Sequence, residues 1–277
     1  MKEELKSLGT LLAVVIMVVS LQACQSCCQG RAQDLLVVEQ TDSVSRDRGE
    51  YINYSAKFTV DVPVDGPQTL VDSIMVFINR RVYNACEDCV NIDEGVESFS
   101  PENVFTNDGE HFLNHYMEKY KELIQDSLWK TYFCQTLKLE AQTETFVTYG
   151  MENYYCGGSC GSDMYYYTFD KRDGHQIKDI ITHNNLVRFF EDYPEYATVE
   201  DIIDDYDWEF SPLAVFFDSD YGLLDDCFLL VVKGMGNHYF TTDFPYSKIL
   251  PYLSPEVQVM LEQRGKPLEE ITTNLSK

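Results

Sequence analysis

A chain of 277 residues with 46 acidic against 21 basic side chains carries a formal net charge of −25. That balance excludes nucleic acid and anionic membrane surfaces as natural partners, because both repel it, and favours solubility and attraction to basic proteins. The length suits one domain, or two small ones, with enough chain to bury a core without staples.

The first element is an export signal. Lys2 and Lys6 precede an apolar run from Leu8 to Leu21, shorter than the roughly 20 residues a membrane span needs. The run ends in Leu21-Gln22-Ala23-Cys24, which resembles the lipobox of bacterial lipoproteins. The resemblance implies a signal peptide over residues 1–23 and a lipid on Cys24 that anchors the chain in the cell envelope. Gln25, where an aspartate would resemble an inner-membrane retention signal, implies sorting to the outer membrane. Residues 24–49 are polar and mixed in charge apart from Leu35-Leu36-Val37-Val38, and read as a tether.

The folded region opens on a strand. Ile52, Tyr54, Ala56, Phe58, Val60 and Val62 alternate with polar residues until Pro63 and Asp65-Gly66-Pro67 end the run. The period then changes: Leu70, Val71, Ile74, Phe77, Ile78 and Val82 line one face of a helix reaching about Tyr83. A loop with Cys86, Cys89 and Gly95 follows, and a second helical pattern covers Glu110 to Leu128. Alternation returns between Trp129 and Tyr155 as two strands of an antiparallel sheet. Tyr165–Phe169 and Gln176–Ile177 flank Asp173-Gly174 as a hairpin. Helical stretches follow near 180–193 and 198–205, then strand-like runs at 214–217 and 227–233 with Asp220-Tyr221-Gly222 as the turn between them. Ser254-Pro255-Glu256 opens a last helix with a cap and a proline at its first position. Strands grouped around helices without strict βαβ alternation give an α+β fold, an antiparallel sheet with helices packed on it.

Nine cysteines occur. With Cys24 lipidated, the others are Cys27, Cys28, Cys86, Cys89, Cys134, Cys156, Cys160 and Cys227, an even set that suggests disulfides in an exported chain. Cys86-x-x-Cys89 and Cys156-x-x-x-Cys160 also have spacings that suit a four-cysteine zinc site, and an oxidising compartment ranks the disulfides first.

Three features of the second half occur together. Tyr154-Tyr155-Cys156-Gly157-Gly158-Ser159-Cys160-Gly161 precedes a strand; Phe169-Asp170 and Asp173-Gly174 lead on to Ile177, Asp179 and Ile180; and Phe244-Pro245-Tyr246-Ser247-Lys248-Ile249-Leu250-Pro251-Tyr252-Leu253 follows the later strands. Together they resemble the domain of unknown function at the C-terminus of the lysozyme-sensing anti-sigma factor RsiV and of the peptidoglycan deacetylase PdaC. The strand and helix of Tyr51–Val82 resemble its N-terminal companion domain. Cys160 stands where that family usually has a histidine, so no imidazole-dependent role is implied there. The chain thus divides into signal peptide (1–23), tether (24–49), N-terminal α+β region (50–150), RsiV C-terminal-like region (151–265) and tail (266–277).

The chemistry-bearing patterns are weak. His111 and His115 have zinc-compatible i, i+4 spacing, but Phe112 stands where a zinc-protease helix has glutamate, so a solvated helix face is the better reading. Gly234-Met235-Gly236-Asn237-His238 reads as a turn. No nucleophile elbow, phosphate loop or EF-hand loop appears, and no metal, cofactor or catalytic residue is assigned. The expected function is therefore a binding module, not an enzyme, for a basic secreted protein of lysozyme type or for peptidoglycan. The alternatives are a glycan- or peptidoglycan-modifying enzyme and a structural lipoprotein. Candidate binding residues are Asp204, Asp205, Tyr206, Asp207 and Trp208, where aromatic rings among carboxylates can act as anchors inside an acidic rim.

Overall fold

The computed structural model describes residues 33–47, 53–89, 113–114, 116–117, 132–157, 159–196, 219–233 and 239–263. The fold is α+β. Six strands, β1 (Leu36–Asp47), β2 (Asn53–Asp65), β3 (Tyr132–Gln142), β4 (Phe146–Gly157), β5 (Ser159–Asp170) and β6 (Gln176–Ile177), form one sheet in sequential order. Three more, β7 (Ser219–Leu223), β8 (Cys227–Lys233) and β9 (Tyr239–Pro245), form a second. The helices are α1 (Gln68–Cys89), α2 (His183–Asp192), the short α3 (Tyr246–Ile249) and α4 (Pro255–Glu262).

The first sheet is antiparallel except at β2 and β3, which run parallel. The sheet is thus antiparallel with helices packed on it, as expected, and the reason for its one parallel pair lies in the connection. Parallel neighbours need a long crossover, and here α1 lies within it. The buried side of α1, including Leu70, Ile74, Phe77, Ile78 and Val82, packs on Phe58, Val60 and Val62 of β2, Leu137 of β3, Tyr149 of β4 and Phe169 of β5. Each such fully buried side chain stabilises the fold by about 1.5–3 kcal/mol relative to exposure. Leu113, Tyr116 and Met117, all helical, join the same core. Tyr116 donates to Oδ1 of the buried Asn79 at 2.6 Å, and Asn79 donates to the Met75 carbonyl at 2.7 Å, so this internal polar pair is satisfied.

Four expectations change. Residues 36–47 belong to β1, an edge strand paired along its whole length with β2, and are not tether. Their polarity is that of a strand with one solvated edge, while Leu35 and Val44 are buried. Cys86 and Cys89 close α1 instead of lying in a loop. Asp220-Tyr221-Gly222 lies inside β7, and the turn to β8 falls at 224–226, where the Leu224 amide donates to the Cys227 carbonyl. The boundary drawn between residues 150 and 151 falls within β4, which pairs continuously with β3 and β5.

The second core joins the smaller sheet to α2, α3 and α4. Phe189 sits among Phe190, Tyr193, Tyr196, Phe244 and Tyr252, with ring centroids 5.0–5.6 Å away. Ala141 and Phe146 of the first sheet also enter this core. The Asp173-Gly174 hairpin forms as its chemistry requires: Gly174 has φ +77°, and a Cβ there would lie 2.5 Å from the Thr69 carbonyl oxygen.

Candidate functional site

Strand pairing lines up rows of side chains on the face of the first sheet that looks away from α1. Side chains alternate between faces along a strand, so residues opposite one another in register share a face. Glu39 pairs with Asp61, and Lys138 with Gly150, which pairs with Tyr166. The next row holds Thr41, Thr59, Thr136, Glu152 and Met164. Beyond it lie Lys57, Cys134 and Tyr154, and then Ser55, Tyr132, Cys156 and Cys160. α1 packs on the opposite face, and the core of the smaller sheet with α2, α3 and α4 covers this face only toward its Ala141 and Phe146 end. Its far end carries a T-shaped pair, Tyr132 and Tyr154, with centroids 5.8 Å apart and exposures of 36% and 42%.

Two glycines make room in the middle of the face. A Cβ at Gly222 of β7 would come within 2.8 Å of the Tyr166 ring, and one at Gly150 within 2.8 Å of Glu140 Cγ and 3.3 Å of Tyr166 Cε1. Tyr166 therefore lies against bare backbone where the second sheet meets the first. Asp220 fixes that meeting: its carboxylate accepts from the Tyr166 amide at 2.9 Å and the Tyr221 amide at 2.8 Å. A side chain thereby satisfies a β5 backbone donor that no strand pairs.

Carboxylates outnumber cations in these rows. Lys138 bridges Glu39 and Asp61. Burial works against its charge, yet the two carboxylates outweigh burial and hold the ammonium above its ordinary pKa. Glu140 lacks such compensation: burial, then the charges of Asp61 and Glu152, push its carboxyl above the usual range against the pull of Lys138. Tyr239 of β9 donates to Glu152 at 2.8 Å. Burial and Glu152 raise the Tyr239 phenol to about 12, and burial with Glu140, Glu152 and Asp220 raises Tyr166 to about 12. Both phenols stay protonated as donors, and an incoming cation would relieve the carboxylate crowding.

A second charged cluster sits at the opposite end of the sheet. The buried Asp170 is paired with Arg172, and the Lys171 ammonium, fully buried, reaches Asp34 at 2.9 Å. His175 lies between Asp173 and Glu256 at 2.6 Å each. Hydrogen bonds to the two carboxylates raise the pKa of its imidazole, with burial opposing. Asp170, His175 and Glu256 offer ligand atoms within 4.8 Å of one another. A cation there would have to displace Arg172 from Asp170, so the cluster fits an ionic tie between β5, β6 and α4 better than a metal centre.

Of the residues singled out in the sequence, Cys156 and Cys160 form a cross-strand pair in the β4–β5 hairpin and are joined by a disulfide, with Cα atoms 4.0 Å apart. Cys86 and Cys89 lie in the last turn of α1. Cys134 and Cys227 are outside any disulfide, and burial followed by Asp226 and Asp243 raises the Cys227 thiol to about 11. Cys24, His111, His115 and the candidate run Asp204, Asp205, Tyr206, Asp207 and Trp208 lie outside the described residues. Sequence reasoning missed the polar face. The alternation Tyr132, Cys134, Thr136, Lys138 was visible, but nothing along a single strand shows which strands flank it.

No protein-family model matches the chain. No curated protein matches it either. Solved structures do match it, among them two of one family. One is a DUF3298 family protein from Pseudomonas aeruginosa PAO1, with TM-score 0.47 and 9% identity over 80% of this chain and 95% of that chain. The other is a member of the DUF3298 family from Bacteroides fragilis NCTC 9343, with TM-score 0.47 and 12% identity over 80% and 96%.

Proposed function

We propose that this chain is an envelope-anchored lipoprotein, held by lipid on Cys24, that acts as a binding module for a basic secreted protein of lysozyme type. The observation that carries the reading is the net charge of −25. An acidic surface draws in a basic partner and repels nucleic acid and anionic lipid. The lipobox-like Leu21-Gln22-Ala23-Cys24 supports the anchor. The second-half motifs that resemble the RsiV C-terminal domain support lysozyme as the first partner to try.

The test is a pull-down with the chain from residue 25 onward immobilised and no lipid attached. It is offered lysozyme, an acidic protein of similar size, and soluble peptidoglycan fragments. Retention of lysozyme alone is the expected result. Retention of the fragments without lysozyme would move the function to wall binding, and turnover of the fragments would make the chain an enzyme.

A further inference from the structure

We infer that the polar face of strands β1–β5 is the surface on which a basic globular protein docks, with the Tyr132–Tyr154 pair as its anchor and Glu140 and Glu152 supplying the attraction. The inference rests on the basic-partner reading above and adds the place and the groups.

The charge of the face complements a basic partner. Glu39, Asp61 and Glu152 share the rows described above with Lys57 and Lys138, Glu140 lies beside Gly150 of the same face at the β3 irregularity between Leu139 and Ala141, and Lys138 is already committed to Glu39 and Asp61. The surplus is negative, and Glu140, partly desolvated, has only the shared Lys138 to oppose its neighbouring carboxylates, so lysine or arginine side chains from outside meet carboxylates that are under-compensated. The tyrosine pair suits an anchor. Tyrosine is among the residues that dominate binding energy when water is excluded around it, because it offers a large rigid contact and a polar tip. Tyr132 and Tyr154 are the two large aromatic side chains most exposed among the described residues, and they touch each other on this face. The opposite face of the sheet has no such role open to it, since α1 covers it.

The point of attachment agrees. Gln142 holds the backbone of Leu35 by two hydrogen bonds, at 2.7 and 3.2 Å, and Lys171 holds Asp34. The chain therefore enters the sheet at one end, and β1 runs its 12 residues, about 40 Å at strand rise, toward the end that bears the tyrosine pair. A lipid N-terminal to Asp34 leaves that pair on the side of the module away from the membrane.

Three variants of the full mature chain test this with lysozyme as the basic probe, each checked for an unchanged thermal midpoint. Tyr132→Ala with Tyr154→Ala should weaken binding by about tenfold or more, as expected for loss of an aromatic anchor. Glu140→Gln should slow association and flatten its salt dependence. Asp225→Asn with Asp226→Asn, on the β7–β8 turn, removes more charge elsewhere and should leave affinity within about twofold of the parent. If the parent binds while the tyrosine and Glu140 variants match the turn variant, the docking surface is wrong and the basic-partner reading survives. If the parent does not bind, both fall.

Discussion

Tyr166 is held by what its neighbours lack. Gly150 and Gly222 leave space where any other residue would press a Cβ into Glu140 or into the Tyr166 ring. Glu140 is a flexible, partly exposed side chain and can give way. The ring at Gly222 cannot, since its strand is paired with β4 and its amide is bound by Asp220. Gly222→Ala should therefore cost about 1–3 kcal/mol, the usual price of overpacking, and thermal melts should show it. Adding Tyr166→Ala should recover part of the loss. Melting of Gly222→Ala at the parent temperature would mean that the two sheets meet more loosely than described. Residues of this kind were poorly legible in the sequence. Asp220-Tyr221-Gly222 has the composition of a turn, and only the ring packed against Gly222 reveals that the glycine serves close approach between sheets. Gly174 was legible, because its Asp-Gly pair serves a local hairpin.

Legibility at the level of elements followed the same division. The buried stripe of α1 repeats at helical spacing and depends on nothing outside its own segment, so its position was readable from residue 70 onward. The final helix was marked by Ser254 and Pro255 for the same reason. β1 was hidden because an edge strand pairs on one side only and keeps polar residues at the others, which made its composition that of a linker. The ionic tie of His175 joins residues distant in sequence and could not have been seen. It has a pH signature. The folded-state pKa of His175 is raised above 6.5, so its stabilisation is fully present below about pH 6.5 and is lost as pH rises through the raised value. Asp173 is shifted the other way. Burial opposes its charge, but bonds from His175 outweigh burial and lower its pKa below 3.8, so its share is present above that value and fades as pH falls further. All three side chains are well exposed, which limits the tie to less than about 1 kcal/mol. Amide exchange in α4, corrected for intrinsic rate, should show more protection at pH 6 than at pH 8, and Glu256→Gln should shrink the difference. Equal protection at both pH values in the parent would remove the tie.

As a whole molecule the described chain is two cores that meet at one seam, with an exposed tyrosine pair at one end of a carboxylate-bearing sheet face and the entry of the chain into β1 at the other. Net charge was legible from composition. Which carboxylates gather on one face depends on the register of five strands and on the parallel entry of β3, which no local pattern encodes. The disulfide between Cys156 and Cys160 closes the hairpin next to the exposed tyrosines, so that end of the sheet is also covalently tied. On the proposal above, this acidic surface captures a basic protein by steered, saturable association. Its most direct measurement is a titration of lysozyme onto the purified chain at ionic strengths of about 0.05 and 0.3 M, spanning the range over which the screening length falls through about 8 Å, beside an unrelated protein of equal net charge. A saturable isotherm is expected for this chain, with association slowing steeply at the higher salt and the control retaining far less. Equal retention by the control, or an isotherm indifferent to salt, would contradict it.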